Sequence, residues 1–551
     1  MIANNFGPRH TAIPASSVAP IPKVRTMNLR LINLFTFLSL ILSATALLGQ
    51  TSEPVVVVVP SAPVAADIAT LIEKSRAEWN VPGLSVAIMK DGQVFLSSGF
   101  GVREFGKAEA VDGDTLFAIA SNSKAFTAAA IAMLDEEGKL KWSDRVQQHL
   151  PWLELYDRYV STELRVDDLL CHRSGLGTFS GDLLWWGTPY SPEDVLRRAR
   201  HLSAKGPFRA SYGYSNLMYL AAGEVIHKAS GQTWQSFVEQ RILQPVGMDR
   251  SVTSIKALDA KGNFATPHKS LVEGVRTIPW YNWDTMAAAG GIISSSNDMA
   301  KWVRVQLDRG RIDDSRRLFS ESSSFRMWSP HTIIPMSAAS QKRLPTTHFR
   351  AYGLGWNLAD YKGRMLVSHG GGYDGMYSQV MLVPEENLGI VVLTNSMTGL
   401  PSALANTIVD EFLGGEKRPL LLEGLERDRK DREAFSKRVS DATAQKVADT
   451  QPSRSPDACM GTYRCPLYGD ITVTKNCDRL VLSLLPNPEL VADLTHLHYD
   501  TWKITWRKEF AWFAEGTVQF VPDANGDFQE LRLNVPNDDL WFDELKPVRV
   551  Q

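Results

Sequence analysis

The chain has 551 residues, of which 44% are hydrophobic and 22% are charged. This composition is typical of a globular protein and excludes a disordered, collagen-like or coiled-coil chain. At roughly 150 residues per domain, the length allows three or four domains, or one large enzymatic core with an appended unit. Lysine and arginine number 59 against 61 aspartate and glutamate residues, a net charge of −2. This balance gives no overall electrostatic reason to bind nucleic acid or an anionic membrane, so partners must be inferred from local sites.

The first fifty residues have the pattern of an export signal rather than of a folded domain. Basic residues precede the apolar run 31–48, and Ala44-Thr45-Ala46 supplies small residues at the alternate positions that a signal peptidase requires. We therefore predict an upstream extension and signal peptide over 1–50, with export to the periplasm or the medium.

Two points about this segment stay open. Met27 makes a conventional start, which marks residues 1–26 as an upstream extension. The apolar run is near the lower length limit for a spanning helix, so an uncleaved membrane anchor is the alternative to a cleaved signal. After cleavage we expect no integral membrane association. The Pro/Val-rich segment 51–65 is typical of a linker.

The four cysteines are too few for a disulfide scaffold. Cys171 lies in an apolar run and is interpreted as a small buried hydrophobic residue. Cys459, Cys465 and Cys477 form a cluster in which export makes one disulfide possible, with the pairing left open. Neither a C-x-x-C pair nor an H-E-x-x-H motif occurs, so we expect no protein-built zinc site.

The first predicted elements are a helix and a β-hairpin. Hydrophobic residues recur at helical spacing over 66–79. Two strands, 84–89 and 94–100, flank Asp91-Gly92, a dipeptide that favours a tight hairpin turn. A second amphipathic helix is predicted over 121–137.

The rest of the first domain is predicted to be a helical insertion followed by further strands. The stretch 140–307 is mostly helical and loop-rich. Strands at 377–383 and 389–394 and a closing helix at 402–413 follow. With the hairpin, these strands would form one antiparallel sheet built from both ends of the domain. The predicted fold class is therefore α+β, with the first domain over 66–414.

Beyond residue 414 the pattern changes. A charge-rich stretch over 416–446 predicts a solvated helix within a linker that we place at 415–456. From 457 to 551, short aromatic and β-branched runs alternate with turn residues, which is typical of a small all-β domain. The sequence leaves open whether this domain caps the functional site or trails behind it.

One motif suggests a nucleophile. Ser121-Asn122-Ser123-Lys124 is the only Ser-x-x-Lys in the chain. Residues three apart share a helix face, so Lys124 is expected within hydrogen-bond reach of the Ser121 hydroxyl. A serine needs a base to remove its proton, and burial lowers the pKa of a lysine enough to help. The alternative is that Ser121 caps the helix and Lys124 is a surface cation.

Two further motifs also occur once each: Tyr214-Ser215-Asn216 and His369-Gly370-Gly371. A phenol near Lys124 could shuttle protons, and the Asn216 amide could hold a substrate carbonyl; a turn with a helix cap is the alternative. His369 is expected just before the strand at 377–383, where glycines let a ligand backbone lie close to the sheet edge.

The segment Gly370 to Gly375 also satisfies the dinucleotide-binding pattern G-x-G-x-x-G. That motif must follow a strand and open a helix, whereas a strand is predicted after it here. We therefore disfavour a nucleotide site.

The ordered set Ser-x-x-Lys, Tyr-x-Asn and His-x-Gly resembles the motifs of the serine β-lactamase and penicillin-binding-protein superfamily. The similarity is greatest to the branch that contains class C β-lactamases, DD-carboxypeptidases, D-aminopeptidases and family VIII esterases (peptidase S12-like), over about 66–413. The resemblance implies an antiparallel β-lactamase/transpeptidase-like sheet flanked by helices, with a helical insertion. The segment from Cys459 onward is similar to the small β accessory domain appended to such hydrolases.

The resemblance also implies catalytic roles. Ser121 would be the acylated nucleophile, Lys124 its activating neighbour and Tyr214 the proton shuttle. The backbone N–H groups of Ser121 and Gly372 would form the oxyanion hole. No metal or organic cofactor is required. His172 lies in a matching stretch but is structural in the family, so we assign it no catalytic role.

Substrate-binding roles follow in the same way. Asn216 would position the acyl side chain. His369 would take the place of the lysine in the family's K-T-G motif, and Gly371 would match its final glycine. Histidine is largely neutral at pH 7 where lysine is charged, and peptidase and esterase relatives often carry His-x-Gly.

We therefore expect an exported serine hydrolase that acts through an acyl-enzyme on small peptide, amide or ester substrates. The alternatives are a β-lactamase with slow turnover, and an inactive relative that binds cell-wall or peptide material. Two aromatic clusters either line the mouth of the cleft or pack beneath the insertion. They are Trp185-Trp186 with Tyr190, and Trp280-Tyr281 with Trp283. The acyl donor, the acceptor and the oligomeric state are left open.

Overall fold

The computed structural model describes residues 65–271, 274–444 and 447–550. The predicted export signal lies outside these residues, as does the predicted linker up to residue 64. Within the described chain, no helix is long and apolar enough to cross a membrane. All four cysteines are free thiols, so the disulfide left open among Cys459, Cys465 and Cys477 is not formed.

Strands and helices alternate through the first domain, and strands dominate the second. The strands are, in chain order, β1 (Gly83–Lys90), β2 (Gln93–Gly101), β3 (Phe117–Ala118), β4 (His268–Leu271), β5 (Gly274–Thr277), β6 (Ile293–Ser294), β7 (Thr332–Ile333), β8 (Arg350–Tyr352), β9 (Asn357–Tyr361), β10 (Arg364–Tyr373), β11 (Met376–Val383), β12 (Leu388–Thr394), β13 (Gly461–Cys465), β14 (Gly469–Asn476), β15 (Arg479–Leu484), β16 (Val491–His498), β17 (Thr501–Trp506), β18 (Gly516–Pro522), β19 (Phe528–Asn534) and β20 (Val548–Arg549).

The helices are, in chain order, α1 (Ala65–Glu78), α2 (Ser123–Glu136), α3 (Val146–His149), α4 (Arg158–Glu163), α5 (Val166–Leu169), α6 (Pro192–Arg198), α7 (Asn216–Ser230), α8 (Trp234–Val238), α9 (Gln244–Val246), α10 (Leu258–Lys261), α11 (Ala287–Gly290), α12 (Ser296–Leu307), α13 (Glu321–Met327), α14 (Ala338–Arg343), α15 (Leu400–Leu413) and α16 (Leu420–Ala444).

An eight-stranded sheet in the order β2-β1-β12-β11-β10-β9-β8-β7 forms the centre of the first domain. All neighbouring strands are antiparallel. Asp91 and Gly92 have φ angles of 52° and 76°, the left-handed conformation that a type I′ hairpin turn requires. The predicted α+β class, with one sheet built from both ends of the domain, is confirmed.

Helices cover both faces of this sheet. Ala87 and Met89 of β1 face the core that contains α2, whereas Val86 and Ile88 face the core that contains α1 and α15, as the two-residue period of a strand dictates. Every residue of α2 from Ser123 to Leu134 is buried. This central position removes the side chains of residues 123–134 from water, including the lysine of the Ser-x-x-Lys motif.

The second domain is a closed barrel of β13 to β20. The aromatic and β-branched runs at 462–463, 471–474, 480–484, 501–507 and 517–521 correspond to β13, β14, β15, β17 and β18, whereas β16, β19 and β20 were missed. In β16 the buried residues are alanine and leucine, which have little strand preference, and in β19 buried phenylalanine and leucine are separated by polar and charged residues. β20 has only two residues. The all-β class predicted for this domain is confirmed.

Helix α16 connects the two domains. Most of its residues are exposed or half-buried, in agreement with a solvated linker. Its first turns differ, because Gly424 and Leu425 are buried. A Cβ added at Gly424 would lie 3.0 Å from the Cβ of Ala403 and 3.2 Å from the Trp79 ring. The start of α16 is therefore packed against the first domain.

The barrel contacts the helical insertion of the first domain. The Glu544 carboxylate accepts hydrogen bonds from the Ser180 hydroxyl and, at 2.8 Å, from the Gly181 N–H. Trp186 packs edge-on against Phe510 of the barrel, with ring centroids 5.5 Å apart. The barrel therefore covers one side of the insertion and does not trail behind it.

Candidate active site

Ser121 lies in a tight turn between β3 and α2. The turn is a 3-10 helix over Ala120–Asn122, and Ala120 has a φ of +46°, a left-handed conformation that is strained for a residue with a Cβ. Helix α2 begins at Ser123, and no side chain caps its N-terminus. The cap interpretation of Ser121 is therefore wrong, and its hydroxyl is left to face a cavity.

Lys124 is fully buried, so the surface-cation alternative is also wrong. Its Nζ lies 3.0 Å from Ser121 Oγ, 2.7 Å from Asn216 Oδ1 and 2.9 Å from the Ala289 carbonyl oxygen. The last two partners only accept hydrogen bonds. A neutral lysine amine has two N–H groups for these two acceptors, which leaves its lone pair directed at the serine hydroxyl.

The environment of Lys124 favours this neutral form. Burial lowers the pKa of Lys124 to about 7, and the negative charge of Asp182 opposes the shift. The Nζ lies 4.8 Å from the ring centroid of Tyr214 and 5.2 Å from that of Tyr219. At neutral pH a substantial fraction of Lys124 can therefore accept a proton.

Asp182 extends this group of residues behind the lysine. Its Oδ2 accepts a hydrogen bond of 2.6 Å from Asn216 Nδ2, and its Oδ1 accepts one of 3.1 Å from the Trp185 indole. Burial raises the pKa of Asp182 to about 8, while the two hydrogen bonds and Lys124 act in the opposite direction. Asn216 thus holds both Lys124 and Asp182. No motif in the sequence marked this aspartate.

Tyr214 lies above Lys124 and beside Ser121 in the same cavity. Burial raises the pKa of Tyr214 well above its usual value, and the Ser121 hydroxyl opposes this shift. The phenol is therefore a proton donor at neutral pH and not a resting base. His172 packs against the Tyr214 ring with centroids 4.1 Å apart and accepts a hydrogen bond from the Ser215 N–H. This contact is a structural one.

His369 precedes the strand at 377–383, as the sequence suggested, but is itself part of a strand, β10, which pairs with β11. Its Nδ1 donates to the Gly370 carbonyl at 2.6 Å, and its Nε2 accepts from the Tyr352 hydroxyl at 2.7 Å; these partners assign the tautomer. Burial, followed by the charge of Lys124, lowers the pKa of His369 to about 3. The imidazole is therefore neutral, unlike the lysine of K-T-G.

The glycines after His369 let β10 approach the Ser121 turn. A Cβ at Gly371 would lie 2.2 Å from the Ile119 carbonyl oxygen, so only glycine fits. β10 pairs with β9 only as far as Ser368, so Gly370, Gly371 and Gly372 have a free strand edge. Gly372 lines the same cavity as Ser121.

The catalytic cavity has a volume of about 440 Å³. It is lined by the predicted site residues apart from Lys124, which lies beneath Ser121. Trp185, Trp186 and Trp283 also line it, and they are buried. For these three residues both interpretations apply, because they line the cleft and also pack in the core. The other predicted aromatic residues, Tyr190, Trp280 and Tyr281, do not line it; the Tyr190 hydroxyl instead donates to the Tyr468 carbonyl at 2.7 Å.

Three residues of the barrel, Trp512, Asp539 and Leu540, complete the cavity wall. Burial and the neighbouring carboxylate of Asp538 raise the pKa of Asp539 to about 7. These residues are far from the motifs along the chain, and only the packing of the two domains reveals them. Among the described residues, no group of three histidine, cysteine, aspartate or glutamate side chains is placed to hold a metal ion.

A family model described as β-lactamase matches residues 68–413. The chain belongs to the β-lactamase family. The resemblance inferred from the three motifs is thereby confirmed. A second model, described as a domain of unknown function (DUF3471), matches residues 445–546, the region that contains all the barrel strands except β20.

Individual relatives agree with this assignment. The chain is 28% identical over 441 residues to a protein named unguisins hydrolase ungD' of Aspergillus campestris, over 76% of this chain and 79% of that protein. It is 28% identical over 343 residues to protein flp of Staphylococcus aureus, over 60% of this chain and 62% of flp. The octameric penicillin-binding protein homologue from Pyrococcus abyssi matches with a TM-score of 0.57 and 23% identity, over 88% of this chain and 99% of that one. This last likeness shows the fold alone.

Proposed function

We propose that the protein is a serine hydrolase that acts through an acyl-enzyme on small peptide, amide or ester substrates. One observation carries the proposal: a buried lysine whose other two contacts are carbonyl oxygens, with its third direction toward the Ser121 hydroxyl. A lysine with its pKa lowered to about 7 is matched to the task of a general base near neutral pH.

In acylation, Ser121 Oγ forms a bond to the substrate carbonyl carbon while its proton passes to Lys124 Nζ. The carbonyl π electrons move to the oxygen, which the N–H groups of Ser121 and Gly372 would stabilise. The tetrahedral intermediate then collapses, and the bond to the leaving nitrogen or oxygen breaks. The Tyr214 phenol donates a proton to that leaving group and regains one from the Lys124 ammonium.

In deacylation, a water molecule attacks the ester carbonyl of the acyl-enzyme. Its proton passes through Tyr214 and Lys124 to Ser121 Oγ as the ester bond breaks. The carboxylic acid product leaves, and the serine hydroxyl is restored. No cofactor is needed for either half of the reaction.

The neutral His369 favours peptide or ester substrates over β-lactams. A β-lactamase of this branch normally has a cationic lysine at this position, and here the imidazole already donates to the Gly370 carbonyl. A relative is named a hydrolase of unguisins, which supports a hydrolytic role. We expect a penicillin to acylate Ser121 and to be released slowly.

We also propose that the protein is exported, on the basis of the apolar run and the small residues over 31–48. N-terminal sequencing of the mature protein tests this. A new N-terminus shortly after the apolar run supports cleavage, whereas an intact N-terminus in a membrane fraction supports the anchor.

A fluorophosphonate probe tests the nucleophile. We expect stoichiometric labelling of the wild-type chain, loss of labelling in Ser121→Ala, and an adduct located on Ser121 by mass spectrometry. Ser402→Ala is the matched control, because this serine also lines the cavity and the variant should still be labelled. Equal labelling of wild type and Ser121→Ala would contradict the assignment of Ser121 as the nucleophile. The alternative of an inactive relative that binds cell-wall or peptide material would then be favoured.

A further inference from the structure

A second cavity, of about 500 Å³, adjoins the catalytic cavity. Four residues line both cavities: Asn357, Gly370, Gln379 and Ser402. The two cavities therefore meet at the free edge of β10, next to the His-x-Gly motif. A substrate that extends along this edge from Ser121 enters the second cavity.

The second cavity is strongly basic. Glu423 is the one acidic residue in its lining. Four arginines line it: Arg343, Arg350, Arg418 and Arg427. Only Arg418 is neutralised locally, by an ion pair of 2.6 Å with Glu423. The side chains of the other three make no ion pair with any carboxylate of the described chain. We call this cavity the arginine groove.

The catalytic cavity carries much less charge. Its acidic lining residues are Asp182 and, on the barrel side, Asp539; their pKa values are raised to about 8 and about 7, so at neutral pH they are largely or partly protonated. A negatively charged part of a substrate is therefore attracted toward the arginine groove. This polarity gives an extended substrate one preferred orientation along β10.

The groove begins at Gly370, where it adjoins the catalytic cavity, and extends along β10 away from Gly372. It is lined by Leu366, Ser368 and Gly370 of β10. At about 3.3 Å per strand residue, Ser368 lies roughly 13 Å along the strand from Gly372. A chain that spans this length is three or four residues long.

We propose that the arginine groove binds a carboxylate three or four residues from the scissile bond of an extended peptide substrate. The identity of the scissile bond rests on the proposed function; the groove does not. A carboxylate fits because the planar guanidinium group binds it through two parallel hydrogen bonds, and glutamate and aspartate supply it in peptides.

Matched peptides test the proposal. Two pairs are needed, one with glutamate or glutamine four residues before the scissile bond, and one with the same exchange four residues after it. We expect kcat/KM to be about tenfold higher for the glutamate peptide in at least one pair, the worth of about 1.4 kcal/mol. Added salt should reduce this preference. Arg350→Gln and Arg427→Gln should abolish it by lowering kcat/KM for the glutamate peptide to that for the glutamine peptide.

Lys430→Gln is the matched control, because it removes one positive charge from α16 outside the groove lining and should leave the preference unchanged. Binding of the same peptides to Ser121→Ala, measured by calorimetry, separates the two proposals. If no peptide is cleaved but the glutamate peptide still binds about tenfold more tightly, the reaction proposal fails and the groove stands.

Equal or undetectable binding of both members of each pair would overturn the groove assignment, as would a preference that survives both arginine substitutions. A phosphoserine peptide that binds more tightly than the glutamate peptide, through the same arginines, would overturn the carboxylate in favour of a phosphate group.

Discussion

Lys124 and Asp168 are both completely buried charged residues in the first domain, yet their surroundings differ. Lys124 contacts one hydroxyl and two carbonyl oxygens, and no described carboxylate lies within ion-pair distance of it. Asp168 accepts a hydrogen bond of 2.6 Å from Arg173, one of 2.7 Å from Arg209 and one of 2.9 Å from the Arg165 N–H.

This difference distinguishes a buried group that is suited to a reaction from a buried group that stabilises the fold. A buried amine without a counter-ion is driven toward its neutral form and becomes a base. A buried carboxylate with two guanidinium partners holds distant segments together, here α5 and the loop before Tyr214. Arg173 directly follows His172 in the stretch that matches the family. Resemblance alone therefore does not tell these two roles apart, whereas the contacts do.

Lys124→Met should have the largest effect. It removes the base and leaves the serine hydroxyl with its ordinary reactivity, so we expect kcat/KM to fall on the order of 10⁴-fold, as for other members of a catalytic unit. Stopped assays with an ester substrate measure this. Activity within tenfold of wild type would contradict the role of Lys124.

The same variant sharpens the comparison through stability. The pKa of Lys124 is lowered from 10.5 to about 7 in the folded chain, so the unfolded chain binds the proton more strongly. This penalty on folding is complete below pH 7 and fades as the pH rises toward 10.5. Chemical denaturation should therefore show Lys124→Met more stable than wild type at pH 6, with the difference shrinking up to pH 10.

Tyr214→Phe should lower turnover by about 10²–10⁴-fold, the usual worth of a general acid–base group. The ring stays in contact with His172, so the melting temperature should change little. The loss should be smaller for a p-nitrophenyl ester than for an amide, because an aryl oxide leaves without a proton. An unchanged rate for the amide would exclude Tyr214 from the mechanism.

Asp168→Ala should show the opposite pattern. Arg173 and Arg209 lose their common acceptor, and breaking a buried ion pair costs about 3–5 kcal/mol of folding free energy. Urea denaturation measures this loss. The fraction that remains folded should still be labelled by the fluorophosphonate probe at the wild-type rate per molecule. A large loss of labelling by fully folded protein would mean that Asp168 also serves the reaction.

The smallest effects on kcat/KM are expected from a change of pH and from the substitution Asp182→Asn. Because the neutral amine is the reactive form, kcat/KM should rise about tenfold per pH unit below 7 and level off above it. The charge of Asp182 raises the pKa of Lys124, so Asp182→Asn should shift the rising part of the pH profile to lower pH. A profile that does not shift in Asp182→Asn would mean that another group titrates.

The sequence predicted the parts of the site that local spacing determines. Ser121 and Lys124 are one turn apart, and His369 is part of a strand whose glycines are needed at close approach to the Ser121 turn. Each of these features is visible in the sequence as a motif of three or four consecutive residues. The predicted contact between Ser121 and Lys124 is present in the structure, while the catalytic roles of both stay a prediction.

Asp182, Trp512 and Asp539 could not be predicted in this way. Asp182 reaches the lysine only through Asn216, and its own neighbours in sequence carry no pattern that marks a site. Trp512 and Asp539 depend on how the barrel packs on the insertion, which no periodicity within either domain encodes. Strand β16 was missed because its buried residues are alanine and leucine, separated by polar residues such as Asp493 and Thr495 that suit the solvent side of a barrel.

The residues of the catalytic cavity come from distant parts of the chain, which are synthesised at different times. The turn with Ser121 and Lys124 belongs to the part of the chain that is synthesised early, whereas the wall with Asp539 and Leu540 is synthesised late. The nucleophile and its base can therefore meet well before the pocket around them exists. A chain that ended within α16 would lack this wall, and Ser121 would be open to bulk water on that side.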